Sequence, residues 1–174
     1  MSLIALARGP RQRIPGAVLY DVDRSLGEPL RDVDFVAIDG TAHEMLFATG
    51  TQLERAYHVE TVRHWDDEVK PGLTRLAFVA PLPGVDPTTF RARYEGHAAI
   101  ARVQHPAICR YVQHFVRRGT EPLCAAVTEL HFANEDEMRR RFYLDDNSAS
   151  IVAADIEDYL DRERTWSLLT RSRL

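Results

Sequence analysis

Tyr94 and His97 are the residues of this chain whose types and spacing point most directly to proton chemistry. They lie in a run where Phe90, Tyr94, His97 and Ala101 recur at intervals of 4, 3 and 4. That spacing keeps all four side chains on one helical face. Imidazole titrates near neutral pH, and burial in a pocket favours its neutral, basic form. His97 can therefore act as a general acid or base. Tyr94, one turn earlier, can orient the ring or bind a substrate carbonyl through its hydroxyl. The same pattern also describes an ordinary core, with the histidine bonded to a strand carbonyl and the tyrosine as aromatic filler.

Phe90, Tyr111 and His114 are the further candidate substrate contacts. Tyr111 and His114 have opposite parity in one strand, so only one of them can share a pocket with His97. His114 shares its face with Arg110, which makes either a polar pocket wall or a sheet edge facing water. Glu129 and His131 share a strand face, as do His58 and His64. Neither pair has a third ligand at helical or strand spacing, so no metal site is expected and all four read as surface or interface polar groups. Asp145, Asp146 and Asn147 read as a loop and helix start, since the other ligands of a calcium loop are missing. Lys70 is the only lysine among 22 Lys and Arg residues, which confines Schiff-base chemistry to that position. Cys109 and Cys124 fall inside apolar strands and read as buried thiols in a reducing cytoplasm.

The elements that must hold these residues are clearest in the C-terminal part. Leu73 to Ala80 reads as a strand. Asp86 can cap a helix whose first turn accepts Pro87 and which runs to about Gln104, before His105-Pro106. Ile108 to Val116 has two apolar faces, so both should be covered. Arg118-Gly119-Thr120 turns the chain, and Leu123 to Phe132 returns antiparallel. Asn134 can cap a short helix through Phe142. A further helix is expected from about Ser148 to Leu160, and a last strand from Arg164 to Thr170. The order is βαββαβ, the ferredoxin-like arrangement of one antiparallel sheet with helices on one face. The N-terminal part offers strands at Leu3–Ala7, Ala17–Val22, Val33–Ile38 and Val59–Trp65, with a helix from about Thr41 to Tyr57. It reads as the same order without its first helix. Asp66 to Gly72 is the natural boundary. It gives a degenerate ferredoxin-like half at 1–70 and a complete unit at 73–174. The fold class expected is α+β, with two such sheets in tandem able to form an α+β barrel.

The chain has 174 residues, 45% apolar content and a net charge of −4. These values suit a folded domain and give no basic patch for nucleic acid. The charged run Glu135 to Arg141 reads as a solvated helix face. No stretch approaches a membrane span and the start lacks the features of a secretory signal, so a soluble, cytoplasmic protein is expected.

The stretches Asp86-Pro-Thr-Thr-Phe90, Tyr94-Glu-Gly-His97-Ala and Arg110-Tyr111-Val-Gln-His114 resemble the core of the EthD family, as does Asp155-Ile-Glu-Asp-Tyr-Leu-Asp161. The resemblance covers about residues 74 to 171. The EthD family belongs to the dimeric α+β barrel superfamily. The resemblance implies two ferredoxin-like sheets packed face to face, usually from two subunits, with a cavity between sheet and helices. A homodimer and a small hydrophobic or aromatic ligand are the partners it implies, and no cofactor. Relatives include muconolactone isomerase, aromatic polyketide cyclases and quinol monooxygenases. Where family members often carry a second histidine before the helix histidine, this chain has Gly96. The expected function is a cofactor-independent lyase, isomerase or cyclase using His97 on a small aromatic or polyketide-like molecule. The alternatives are a cofactor-free or haem-linked monooxygenase, and a non-catalytic binding module.

Overall fold

Leu73 to Pro81 alternates between two apolar environments, and the structure covers both. The computed structural model describes residues 2–8, 17–22, 35–39, 52–119 and 124–172. The strands are β1 (Ser2–Arg8), β2 (Ala17–Val22), β3 (Phe35–Asp39), β4 (Gln52–Asp66), β5 (Leu73–Pro81), β6 (Ile108–Gly119), β7 (Ala126–Phe132) and β8 (Leu160–Ser172). The helices are α1 (Pro87–Gln104), α2 (Glu135–Arg141) and α3 (Ser148–Ile156). All the strand pairs are antiparallel, and the sheet closes into a barrel in the order β1-β3-β2-β8-β5-β7-β6-β4, with β4 pairing back onto β1.

Within that order the strands β5 to β8 lie as β8-β5-β7-β6, and β1 to β4 as β4-β1-β3-β2. Both follow the same rule of last, first, third, second, which is the ferredoxin-like sheet. The two sets meet at β2 with β8 and at β4 with β6. One chain thus supplies the whole barrel. The mixed α+β class expected from the sequence is the class found.

The barrel interior is one apolar cluster drawn from every side, including Ile4, Leu6, Val36, Tyr57, Leu76, Phe78, Val127 and Leu168. The outer face of β5 to β8 carries a second set of contacts against the helices. There Leu73, Tyr111 and Phe132 pack with Ala98 and Ala101 of α1, and Val79, Phe115 and Ala126 pack with Phe90 and Tyr94. Closing the barrel removes sheet edges, and burying both faces of β5, β6 and β7 explains their nearly continuous apolar runs. At Gly119 an added Cβ would lie 2.4 Å from the Tyr57 ring, so glycine lets β6 approach β4 where Tyr57 turns inward.

Several expectations are corrected. The helix expected from Thr41 to Tyr57 is wrong over its last third, because Gln52–Tyr57 is part of β4. Pairing with β1 at Ala5↔Ala56 and Ile4↔Tyr57 satisfies its backbone and buries Tyr57, which overrides helix propensity. The rest of that segment lies outside the described residues. The second C-terminal helix ends at Ile156, since Leu160 already pairs with Pro81. Glu129 and His131, expected at the surface, are 4% and 2% exposed, facing the barrel interior. His58 and His64 are half-buried on β4, with His64 Nε2 bonded to Gln113 Oε1 at 2.8 Å. Among the described residues, no helix is long and apolar enough to cross a membrane.

Candidate functional site

The helix that carries Tyr94 and His97 begins where the local sequence says it should. Asp86 accepts hydrogen bonds from the Thr88 and Thr89 amides, each at 3.0 Å, and Pro87 occupies the first turn. The Thr89 side chain, and then those amides, hold the carboxylate below its usual range. The helix ends at His105, whose backbone N–H returns to Ala101 O. The apolar spacing then lays α1 across the outer face of the sheet, with Phe90, Tyr94, His97, Ala98 and Ala101 buried.

A cavity of about 280 Å³ remains between α1, α3 and that sheet face. Tyr94, His97 and His105 line it from α1, and Ile156 from α3. Arg75, Ala77 and Val79 form its floor with Tyr111, Thr128 and Leu130. Two wider depressions of about 450 and 420 Å³ lie elsewhere. They open more broadly to solvent and contain no buried titratable side chain.

His97 is 8% exposed, and its ring lies nearly parallel to that of Tyr94, at 7° and 5.9 Å between centroids. Its Nδ1 is 2.6 Å from Asp155 Oδ2 on α3. The Tyr159 hydroxyl donates to the same oxygen at 3.2 Å. A carboxylate only accepts, so Nδ1 carries a proton, and in the neutral form of the ring the lone pair is at Nε2. The aspartate thereby fixes both the orientation and the tautomer of the imidazole. This is the arrangement of a general base with its orienting acid.

The hydroxyls beside it stay protonated. Burial raises Tyr94 to about 12, partly offset by its hydrogen bonds to Thr128 and Tyr111. Tyr94 Oη lies 2.7 Å from Thr128 Oγ1. Tyr111 is raised well above the usual phenol value by burial, and accepts from Gln113 Nε2 at 3.2 Å. Burial likewise raises Tyr159, reinforced by the negative charge of Asp155. Burial lowers His105, against the hydrogen bond of its Nδ1 to Phe142 O at 2.7 Å, and repulsion from the Arg75 guanidinium, and from the His97 ring whenever that is protonated, lowers it further.

Three of the five sequence candidates therefore meet at one cavity: His97, Tyr94 and Tyr111. Phe90 does not line it; it packs behind Tyr94 against Tyr159, with ring centroids 6.2 Å apart. His114 lies on the other side of the sheet, inside the barrel, where its Nε2 is 2.6 Å from Glu129 Oε1. The structure adds Asp155, Thr128, His105, Arg75 and Arg162 to the cavity or its support. Asp155 had a visible signal in the sequence: it opens the stretch Asp155 to Asp161 singled out above, which also contains Tyr159. Glu129 and His131 meet each other and His114 through hydrogen bonds inside the barrel. Cys109 and Cys124 are free and buried, and burial raises Cys124 to about 12, which leaves it unreactive.

No family model and no curated protein matches this sequence. A solved structure does match over nearly the full length. It is that of a provisionally assigned monooxygenase from Lactobacillus acidophilus NCFM, with TM-score 0.54 and 9% identity, covering 98% of this chain and 92% of the other. The chain has the α+β barrel fold. At such low identity the likeness is one of architecture, and function must be argued from the site.

Proposed function

We propose that this α+β barrel protein is an EthD-like, cofactor-independent enzyme that binds a small aromatic or polyketide-like molecule between helices and sheet and moves a proton with His97. The observation that carries this reading is the His97–Asp155 pair beside the cavity of about 280 Å³, with Nε2 given no hydrogen-bond partner among the described residues. His97 Nε2 removes a proton from a carbon next to a carbonyl, or from a hydroxyl. The protonated Tyr94 hydroxyl hydrogen-bonds the oxygen that gains charge. The imidazolium, stabilised by Asp155, then returns the proton to another carbon, giving isomerisation or cyclisation, or to a departing hydroxide, giving dehydration. Positioned proton transfer of this kind contributes roughly 10² to 10⁴ in rate.

The test is deuterium uptake from D₂O into an aryl 1,3-diketone such as benzoylacetone, followed by NMR. The wild-type protein should accelerate exchange, His97→Gln should abolish the acceleration, and Asp155→Asn should lower it about a hundredfold or more. Equal exchange with wild type and His97→Gln would remove the catalytic reading. Binding that survives His97→Gln with no exchange by either protein would favour a binding module.

A second reading, oxygenation, has the assignment of the structural neighbour in its favour. It predicts oxygen uptake in the presence of a hydroquinone. Its haem-linked form does not suit this cavity. About 280 Å³ lies just below the usual range of small-ligand sites, and a porphyrin needs far more room.

A further inference from the structure

We propose that the ligand of this cavity carries a carboxylate, or a planar anion of the same shape, recognised by Arg75 and Arg162. This deepens the reading above and rests on it. The argument begins with the arginines elsewhere in the chain. Most of those on the surface are neutralised: Arg91 and Arg117 by Glu60, Arg93 by Asp158, Arg102 by Asp67, Arg164 by Asp161. On α2, Arg139, Arg140 and Arg141 each meet an acid one turn earlier. Arg75 and Arg162 have no such carboxylate among the described residues, and both line the cavity. Arg75 Nε donates to Ser167 Oγ at 3.1 Å and its guanidinium lies 6.0 Å from the Phe142 ring, contacts that hold it without neutralising it.

Among the described residues, the cavity wall carries no Asp or Glu. Asp155 does not line the cavity; its described contacts are His97 Nδ1 and the Tyr159 hydroxyl. Two guanidinium groups and two imidazoles therefore face one another in a chain whose net charge is −4. The two guanidinium charges, Arg75 half-buried and Arg162 exposed, gather against the overall balance with no carboxylate partner among the described residues, and such a pair suits an anion. Guanidinium forks match a carboxylate in bidentate fashion, which fixes orientation as well as charge. The apolar remainder of the ligand would lie on Ala77, Val79 and Leu130, against the rings of Tyr94 and Tyr111. An aromatic or unsaturated acid fits this division of polar and apolar walls.

The test compares benzoate and 4-hydroxybenzoate with benzamide and benzyl alcohol by ¹H–¹⁵N chemical-shift titration at neutral pH and low salt. Wild type should bind the carboxylates at least about tenfold more tightly than the neutral isosteres. Arg162→Gln, an exposed position that leaves folding intact, should erase most of that preference, and Arg75→Gln should do the same. The shifted resonances should cluster around His97, Tyr111 and Thr128. If the neutral probes bind there as well as benzoate, or if neither arginine variant alters the preference, the anion assignment is wrong while the cavity remains a ligand site. If none of the four probes shifts these resonances, the anion assignment and the ligand-site reading both fail.

Discussion

Replacing Glu129 tests most sharply how this barrel is held together. Glu129 sits inside the barrel on β7 and accepts three hydrogen bonds: from His114 Nε2 at 2.6 Å, from His131 Nε2 at 2.9 Å and from the Tyr20 hydroxyl at 2.6 Å. Burial opposes its charge, but the bonds from the two histidines outweigh that and hold its carboxyl well below the usual range. As an ionised group it can only accept, so all three partners must donate. The other ring nitrogens lie against hydroxyls, His114 Nδ1 at 2.9 Å from Thr61 and His131 Nδ1 at 3.0 Å from Thr74. The network joins β2, from the first set of four strands, to β7 across 109 residues of sequence.

Glu129→Ala strands three donors in a dry interior. Each buried donor left unmade costs about 1–3 kcal/mol, so the simple sum is roughly 3–9 kcal/mol. Water entering the vacated space recovers part of this, leaving an expected loss of about 4–5 kcal/mol, the range for breaking a buried charged pair. Glu129→Gln is a milder change. Where its amide nitrogen faces His114, that ring can adopt the other tautomer, accept at Nε2 and donate from Nδ1 to Thr61. The charge assistance is lost but the network closes, so the expected loss is about 1–2 kcal/mol. Urea denaturation at pH 7 measures both. The depressed carboxyl means that this stabilisation is complete above about pH 4.3 and is lost as pH falls through the folded value. The advantage of wild type over Glu129→Gln should therefore shrink in acid. Equal losses for Ala and Gln, or a loss under about 1 kcal/mol for Ala, would refute the account of the interior as a charge-centred tie.

Three further outcomes follow from the same coordinates. Gly96 lies in mid-helix with nothing within 4 Å of an added Cβ, so Gly96→Ala should stabilise the protein by about 0.5–1 kcal/mol, read as a higher urea midpoint. Gly119→Ala should destabilise it and shift the Tyr57 resonances, because the new methyl would meet the Tyr57 ring and the Ala56 carbonyl oxygen. Burial raises Tyr57 and Tyr94 to about 12, and also raises Tyr20, Tyr111 and Tyr159. Above about pH 10 the unfolded chain loses protons that the folded one keeps, so stability should fall as pH rises, and most phenolate absorbance should appear together with unfolding.

What the sequence made legible was local. The cap at Asp86, the proline after it and the spacing of Phe90, Tyr94, His97 and Ala101 are signals carried within one helix, and α1 follows them. The partner of His97 is not local. Asp155 stands 58 residues away, and only the packing of α3 beside α1 brings the two together. Strand parity placed Glu129 and His131 on one face correctly, yet it is silent about which face stays dry. An antiparallel sheet commonly leaves one face to water, which is why that pair read as a surface feature. Here β1 to β4 cover that face. The same closure drew Gln52–Tyr57 into a strand, against helix propensity.

That closure also explains where the chemistry can be. The barrel interior is occupied by an apolar cluster and a saturated network, in which every ring nitrogen of His114 and His131 is already bonded. A histidine in that state has no lone pair to offer a ligand. On the outer face of the same sheet, His97 is bonded through one nitrogen only, and the cavity beside it is lined by polar groups with capacity to spare. The two sides of this sheet thus hold two kinds of histidine. His114 and His131, facing inward, are bonded at both ring nitrogens, whereas His97 and His105, set over the outer face by α1 and its cap, are each bonded through Nδ1 alone among the described contacts.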